Sequence, residues 1–129
     1  MSQPEEQIRV LCVDDDPWQL QATKIFFEPE NDILVRTCSS TDEALKEILH
    51  NEFDCLVIDY RMQSISGIEL VRNIRHISNV PIIMYSMFDE KGIVDAALSA
   101  GANRFNLKNS HVESFRRLAE EIRRLTGIS

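Results

Sequence analysis

Cys55-Leu56-Val57-Ile58-Asp59 is an apolar run that ends abruptly in a carboxylate, and the chain passes from it into Tyr60-Arg61-Met62-Gln63-Ser64-Ile65-Ser66-Gly67. A run this short and this rich in branched side chains fits an interior strand of a parallel sheet, which is covered on both faces and needs no polar alternation. Ligands of such sheets bind beyond the carboxyl ends of the strands. Asp59 is therefore the first candidate for chemistry.

The same arrangement occurs upstream, where Ile8-Arg9-Val10-Leu11-Cys12-Val13 reads as a strand ending in Asp14-Asp15-Asp16. Pro17 suits the first position of a helix running to about Glu28, with Asp16 as its N-cap and Gln19 reaching back to close a capping box. A β-branched strand over 32–38 follows, then Ser40-Thr41-Asp42-Glu43 as a second cap before Ala44, Leu45, Ile48 and Leu49. Downstream of Asp59, Ser66 and Glu69 cap a helix carrying Leu70, Val71, Ile74 and Ile77, and Gly67 serves the tight turn into it.

Val80-Pro81-Ile82-Ile83-Met84-Tyr85 is a fourth strand ending at Ser86, with Pro81 near its beginning, where a missing donor costs least. Asp89 is placed to cap a helix through Ala100 that Gly101 stops, and Arg104-Phe105-Asn106-Leu107 forms a short fifth strand ending at Lys108. Ser110 and Glu113 fit the cap of a last helix with apolar positions Val112, Phe115, Leu118, Ala119, Ile122 and Leu125. Strand and helix alternate throughout. The predicted class is α/β, a doubly wound five-stranded parallel sheet with five helices on its two faces. Asp14, Asp15, Asp59, Ser86 and Lys108 all fall at strand ends and gather at one edge.

Composition narrows the function. A chain of 129 residues with 43% hydrophobic side chains suits a single domain over 1–129, with an ordered core over about 7–126. A formal net charge of -7 argues against direct nucleic-acid binding, which needs a basic face. No apolar run is long enough to cross a bilayer, and the acidic first residues lack a secretion signal, so a cytoplasmic location is expected. Cys12, Cys38 and Cys55 lie in strand-like runs with no metal-ligand spacing and read as buried free thiols.

Three carboxylates at one edge repel by roughly 4 kcal/mol per pair at about 4 Å and an effective dielectric near 20, which a divalent cation relieves. An all-oxygen donor set favours Mg²⁺, whose sites commonly engage phosphate. For phosphoryl chemistry a carboxylate serves as nucleophile, an ammonium and Mg²⁺ neutralise charge, and a hydroxyl holds phosphoryl oxygens. Asp59, Lys108, Asp14 with Asp15, and Ser86 fill those roles. The sequence has no glycine-rich phosphate loop and no second aspartate after Asp59 of the kind aspartate-based phosphatases carry, so the phosphate must arrive on another molecule.

From Ile8 to Leu125 the sequence resembles the receiver domains of two-component response regulators. The resemblance rests on Val13-Asp14-Asp15-Asp16-Pro17, on Asp59 followed by Met62 and Gly67, on Pro81-Ile82-Ile83-Met84 before Ser86, and on Gly101-Ala102 followed by Phe105 and Lys108. It implies strand order 2-1-3-4-5 and transfer of a phosphoryl group to Asp59 from the phosphohistidine of a histidine kinase or phosphotransfer protein. It also implies Mg²⁺ held by Asp14, Asp15, the Asp59 carboxylate and the Arg61 backbone carbonyl, with Lys108 on the phosphoryl group. Ser86 and Phe105 would form a switch that alters the face of helix 4, strand 5 and helix 5, read by a downstream effector or a fused output domain. Such a protein catalyses its own phosphorylation and slow dephosphorylation without being a turnover enzyme on a separate substrate. The sequence leaves a homodimer open.

The chain departs from that family's pattern at Gln63 and Asn109, where proline is usual, and at bulky Met87. The usual proline after the lysine follows a cis bond, which costs on the order of 3 kcal/mol without proline, so a trans bond and a shifted Lys108 are expected. In the family, the positions of Arg61 and Phe88 govern how water reaches the aspartyl phosphate, which predicts slow dephosphorylation here. The competing reading is a non-phosphorylated interaction module of the same fold. Trp18 is expected to pack near the acidic edge, Arg117 and Arg124 to pair with Glu113 and Glu120, and His50, His76 and His111 to be surface residues.

Overall fold

The computed structural model describes residues 7–62, 65–109 and 111–127. Ten elements alternate: β1 (Ile8–Val13), α1 (Pro17–Phe27), β2 (Ile33–Cys38), α2 (Thr41–His50), β3 (Cys55–Asp59), α3 (Gly67–Arg75), β4 (Ile82–Ser86), α4 (Lys91–Ala100), β5 (Arg104–Leu107) and α5 (Val112–Thr126). The five strands form one sheet in the order β2-β1-β3-β4-β5, every pair parallel. The expected class and strand order are both met.

Side-chain alternation along the central strands divides the interior in two. Leu11, Val13, Leu56, Ile58, Ile82 and Met84 turn toward α2, α3 and α4, where they meet Ala44, Leu70, Val71, Ile74 and Ala97. Val10, Cys12, Cys55, Val57, Ile83 and Tyr85 turn the other way, onto Phe27 of α1 and Phe115, Leu118, Ala119 and Ile122 of α5. The three cysteines are buried and free, and burial pushes the Cys38 and Cys55 thiols up to about 12, so they stay protonated and inert.

Several local expectations need correction. Asp16 caps α1, but its carboxylate accepts from Trp18 N rather than Gln19 N, and the Asp16 amide donates to Asp14. Gln19 therefore closes no capping box. Glu43 reaches the amide of Ser39 while Ser40 Oγ accepts from Glu43 N. The α4 cap is Glu90, not Asp89, and it makes no side-chain bond; α5 begins after His111, and Ser110 lies outside the described residues. Pro81 precedes β4 instead of lying within it. Of the apolar helix positions, Leu49, Ile77 and Val112 are exposed, and Trp18 is 83% exposed. In the first turn of α5 it is Ser114 and Phe115, and not Val112, that are buried.

The arginine pairs also differ. Arg116 and Arg124 meet Glu113 and Glu121 at i,i+3 spacing rather than the predicted i,i+4. Arg123 leaves its helix to bind Glu30 and Asp32.

Candidate functional site

The register brings the candidate residues together. Val13 pairs with Ile58, so the next residues, Asp14 just past β1 and Asp59 at the end of β3, stand side by side. Ser86 pairs with Leu107, which brings Lys108 up one step beyond the end of β4. The carboxylates of Asp14, Asp15 and Asp59 each present an oxygen within 4.8 Å of the others. Lys108 Nζ donates to Asp14 Oδ2 at 2.9 Å and to Asp59 Oδ1 at 2.8 Å, and both ion pairs are largely shielded from solvent.

The trans arrangement expected after Lys108 is present, since no peptide bond among the described residues is cis. Across that trans bond Lys108 is held at both ends. Its amide donates to Ser86 O at 2.7 Å, and its ammonium reaches two carboxylates.

Gly67 returns the loop onto the strand end. Its amide donates to Tyr60 O, and a Cβ at this position would collide with the Asp59 carbonyl oxygen. Only glycine allows that approach of α3 to the end of β3. Across the site, Arg61 lays its guanidinium over Phe88, 4.3 Å from the ring centroid. Ser86 is buried at the end of β4, where its Oγ accepts from Phe88 N at 3.0 Å. Phe105 on β5 is half-buried against the α3–α4 layer.

Electrostatics follows from this crowding. Burial pushes the Asp59 carboxyl up, and the Asp14 and Asp15 charges add to that push, so that the opposing Lys108 bond does not cancel it. Burial pulls the Lys108 ammonium down, but the hydrogen bond to Asp59 and the charges of Asp14 and Asp59 outweigh it, and the net shift is upward. Lys108 therefore stays charged, an internal counter-ion for an edge with more acid than base. Hard oxygen donors grouped this closely fit a small divalent cation.

The sequence model of the response regulator receiver domain matches residues 10–120. The chain belongs to that family. Accepting a phosphoryl group is the general function of receiver domains in two-component systems. Among solved structures, this receiver is similar to that of a Francisella response regulator, with 30% identity and a TM-score of 0.84 over 94% of this chain and 98% of that one. It is also similar to the response regulator domain of Thermotoga maritima CheB, with 28% identity and a TM-score of 0.82 over 95% and 98%.

A protein-glutamate methylesterase/protein-glutamine glutaminase of Nocardioides sp. is 37% identical over 120 residues, which is 90% of this chain and 33% of that protein. One from Pseudomonas syringae is 32% identical over 105 residues, 79% of this chain and 27% of that protein. The receiver thus spans a third or less of these relatives.

Two polar residues near the receiver's site were not singled out from the sequence, although signals exist. Tyr85 alternates with apolar Ile83 on β4, and Ser114 lies on the α5 face of Leu118 and Ile122. A hydroxyl on an apolar stripe needs a buried partner.

Proposed function

We propose that Asp59 is the phosphoacceptor of this receiver, and that the observation carrying this reading is its carboxylate held between Lys108 at 2.8 Å and the Asp14–Asp15 pair. A carboxylate oxygen of Asp59 attacks the phosphorus of a phosphohistidine on a histidine kinase or phosphotransfer protein. The P–N bond breaks, its electron pair stays on the imidazole nitrogen, and that nitrogen takes a proton from solvent. Lys108 neutralises charge on the phosphoryl oxygens. Asp14, Asp15, the Asp59 carboxylate and the Arg61 backbone carbonyl would hold Mg²⁺, which when bound supplies further neutralisation of the transferring group.

Ser86 and Phe105 form the switch in this reading. Ser86 is buried one residue beyond Tyr85, the register partner of Asp59; its oxygen accepts from Phe88 N, and its hydroxyl proton is the one to donate to a phosphoryl oxygen. Phe105, half-buried on the neighbouring strand, turns inward into the space the hydroxyl leaves. The face of α4, β5 and α5 then changes for an output partner. That the curated relatives carry the matched segment in longer chains supports a receiver working beside an output domain, such as a methylesterase. Among the described residues no helix is long and apolar enough to cross a membrane, which agrees with a cytoplasmic role.

Incubation with acetyl phosphate and Mg²⁺, read by intact mass, tests the assignment. One added phosphoryl group is expected, abolished by Asp59→Asn and by chelation. No mass gain while Mg²⁺ binds would favour an interaction module of the same fold.

A further inference from the structure

Lys108 is followed by Asn109, and the chain must hold the lysine without a proline ring to stiffen the junction. One side of the residue is fixed by its own amide, which donates to Ser86 O at 2.7 Å. The other side is fixed by a buried chain of hydroxyls. Tyr85 Oη donates to Ser114 Oγ at 3.1 Å, and the Ser114 hydroxyl in turn donates toward Asn109 O at 3.1 Å and His111 O at 2.9 Å. The polarity is consistent along its length: Tyr85 gives its proton to Ser114, Ser114 shares its single proton between the two carbonyls, and the carbonyls only accept.

Asn109 adds a local fastening, its Oδ1 accepting from His111 N at 2.8 Å. Both hydroxyl-bearing residues are almost wholly buried, at 4% and 1% exposure. The ring that carries the Tyr85 hydroxyl also lies beneath the Lys108 ammonium, with Nζ 5.8 Å from its centroid.

We propose that the Tyr85–Ser114 hydroxyl pair is a positioning device for Lys108, holding the carbonyl that follows the lysine so that its ammonium meets Asp59 and Asp14 together. The proposal rests on the reading of Asp59 as phosphoacceptor, because that is the reaction Lys108 serves. Tyr85 and Ser114 touch neither phosphoryl group nor cation and act through the lysine. A device of this kind sets the reaction rate, since displacement of a charge-neutralising group by about 1 Å can cost up to two orders of magnitude.

The test uses the whole chain with acetyl phosphate as donor. Tyr85→Phe keeps the ring and removes the donor; Ser114→Ala removes its acceptor. Each is expected to slow phosphorylation of Asp59 about tenfold at saturating Mg²⁺, and the double variant to be no slower than the slower single one. Apparent Mg²⁺ affinity, by calorimetry, should be no weaker, whereas general loosening of the site would weaken it.

A second readout needs no phosphorylation: the ¹⁵N ammonium resonance of Lys108, protected from exchange by its two ion pairs in the unaltered protein, should be lost in both single variants. Its persistence in either, its absence from the unaltered protein, or loss of Mg²⁺ affinity in step with rate overturns the positioning role. Failure of the unaltered chain to gain a phosphoryl group overturns the phosphoacceptor reading instead, and the ammonium resonance then decides the role of Tyr85 and Ser114 by itself.

Discussion

Asp59 is held against a gradient of its own charge. Its carboxyl is pushed up by burial and by Asp14 and Asp15, so the folded state binds its proton more tightly than the unfolded state does. The associated stability is fully present below the unfolded value, near pH 4, and is lost as pH rises through the folded value. At neutral pH the charge is therefore a cost. Asp59→Asn, which keeps an acceptor for Lys108, should raise stability at pH 7 by on the order of 1 kcal/mol, with the gain shrinking toward pH 4. Urea unfolding across that range measures it, and saturating Mg²⁺ should reverse the order by stabilising the unaltered protein more. The stacked Arg61 and Phe88 side chains give the second expectation at this scale. Replacing both, as Arg61→Asn with Phe88→Ala, should shorten the lifetime of the phosphorylated form severalfold, because water then meets less cover; an unchanged decay of the phosphorylated mass would dismiss that cover.

Among the elements, what could be read from the sequence was the part written in periodicity. The central strands, the helices between them and the residues at the strand ends follow from apolar runs and caps, as at Ser40 and Ser66, each of which receives the amide three residues on. The interior of the site was less legible. Tyr85 and Ser114 are far apart in the chain and only the fold reveals that their hydroxyls meet. Gln19 fits a capping pattern, but Asp14 already takes the Asp16 amide that it would have bonded. Val112 carries the right chemistry for a core position and the wrong phase in its helix. Arg75, at the end of α3, was equally silent. Its Nε donates to Gly101 O at 3.0 Å, Nη1 to Ser78 O at 3.1 Å and Val80 O at 2.8 Å, and Nη2 to Asn103 Oδ1 at 3.0 Å. That oxygen also accepts from Ile82 N at 2.8 Å. A planar fork serves four acceptors that an ammonium cannot reach at once, so Arg75→Lys should cost about 2 kcal/mol in equilibrium unfolding with little change at the acidic edge.

Across the whole molecule, the end remote from the acidic edge is fastened by charge. Arg123 of α5 forms a fork on Asp32, at 2.7 and 2.9 Å, and reaches Glu30 at 2.7 Å, joining the last helix to the turn between α1 and β2. The hydrogen bond from Arg123 holds the Asp32 carboxyl below the usual range, despite the smaller opposing effect of burial. A depressed folded value contributes stability above the unfolded one and loses it as pH falls through the folded one. Arg123→Ala should therefore cost about 1 kcal/mol at pH 7, a figure kept small because the bridge is partly exposed, and the difference should fade as pH falls below the ordinary carboxylate value near 4. Thermal melts of both proteins from pH 7 down to about pH 2 test this. The two ends thus respond to acid in opposite senses, the remote clasp weakening as the repulsion around Asp59 is relieved.

The bare indole of Trp18 has an optical consequence. It is the only tryptophan in the chain, it stands in solvent at the first turn of α1, and its amide is bonded to Asp16, whose own amide is bonded to Asp14. Any occupant that redraws the acidic loop moves the fluorophore's immediate surroundings. The molecule carries its own emission gauge, readable without a label while cation or phosphoryl donor is titrated in.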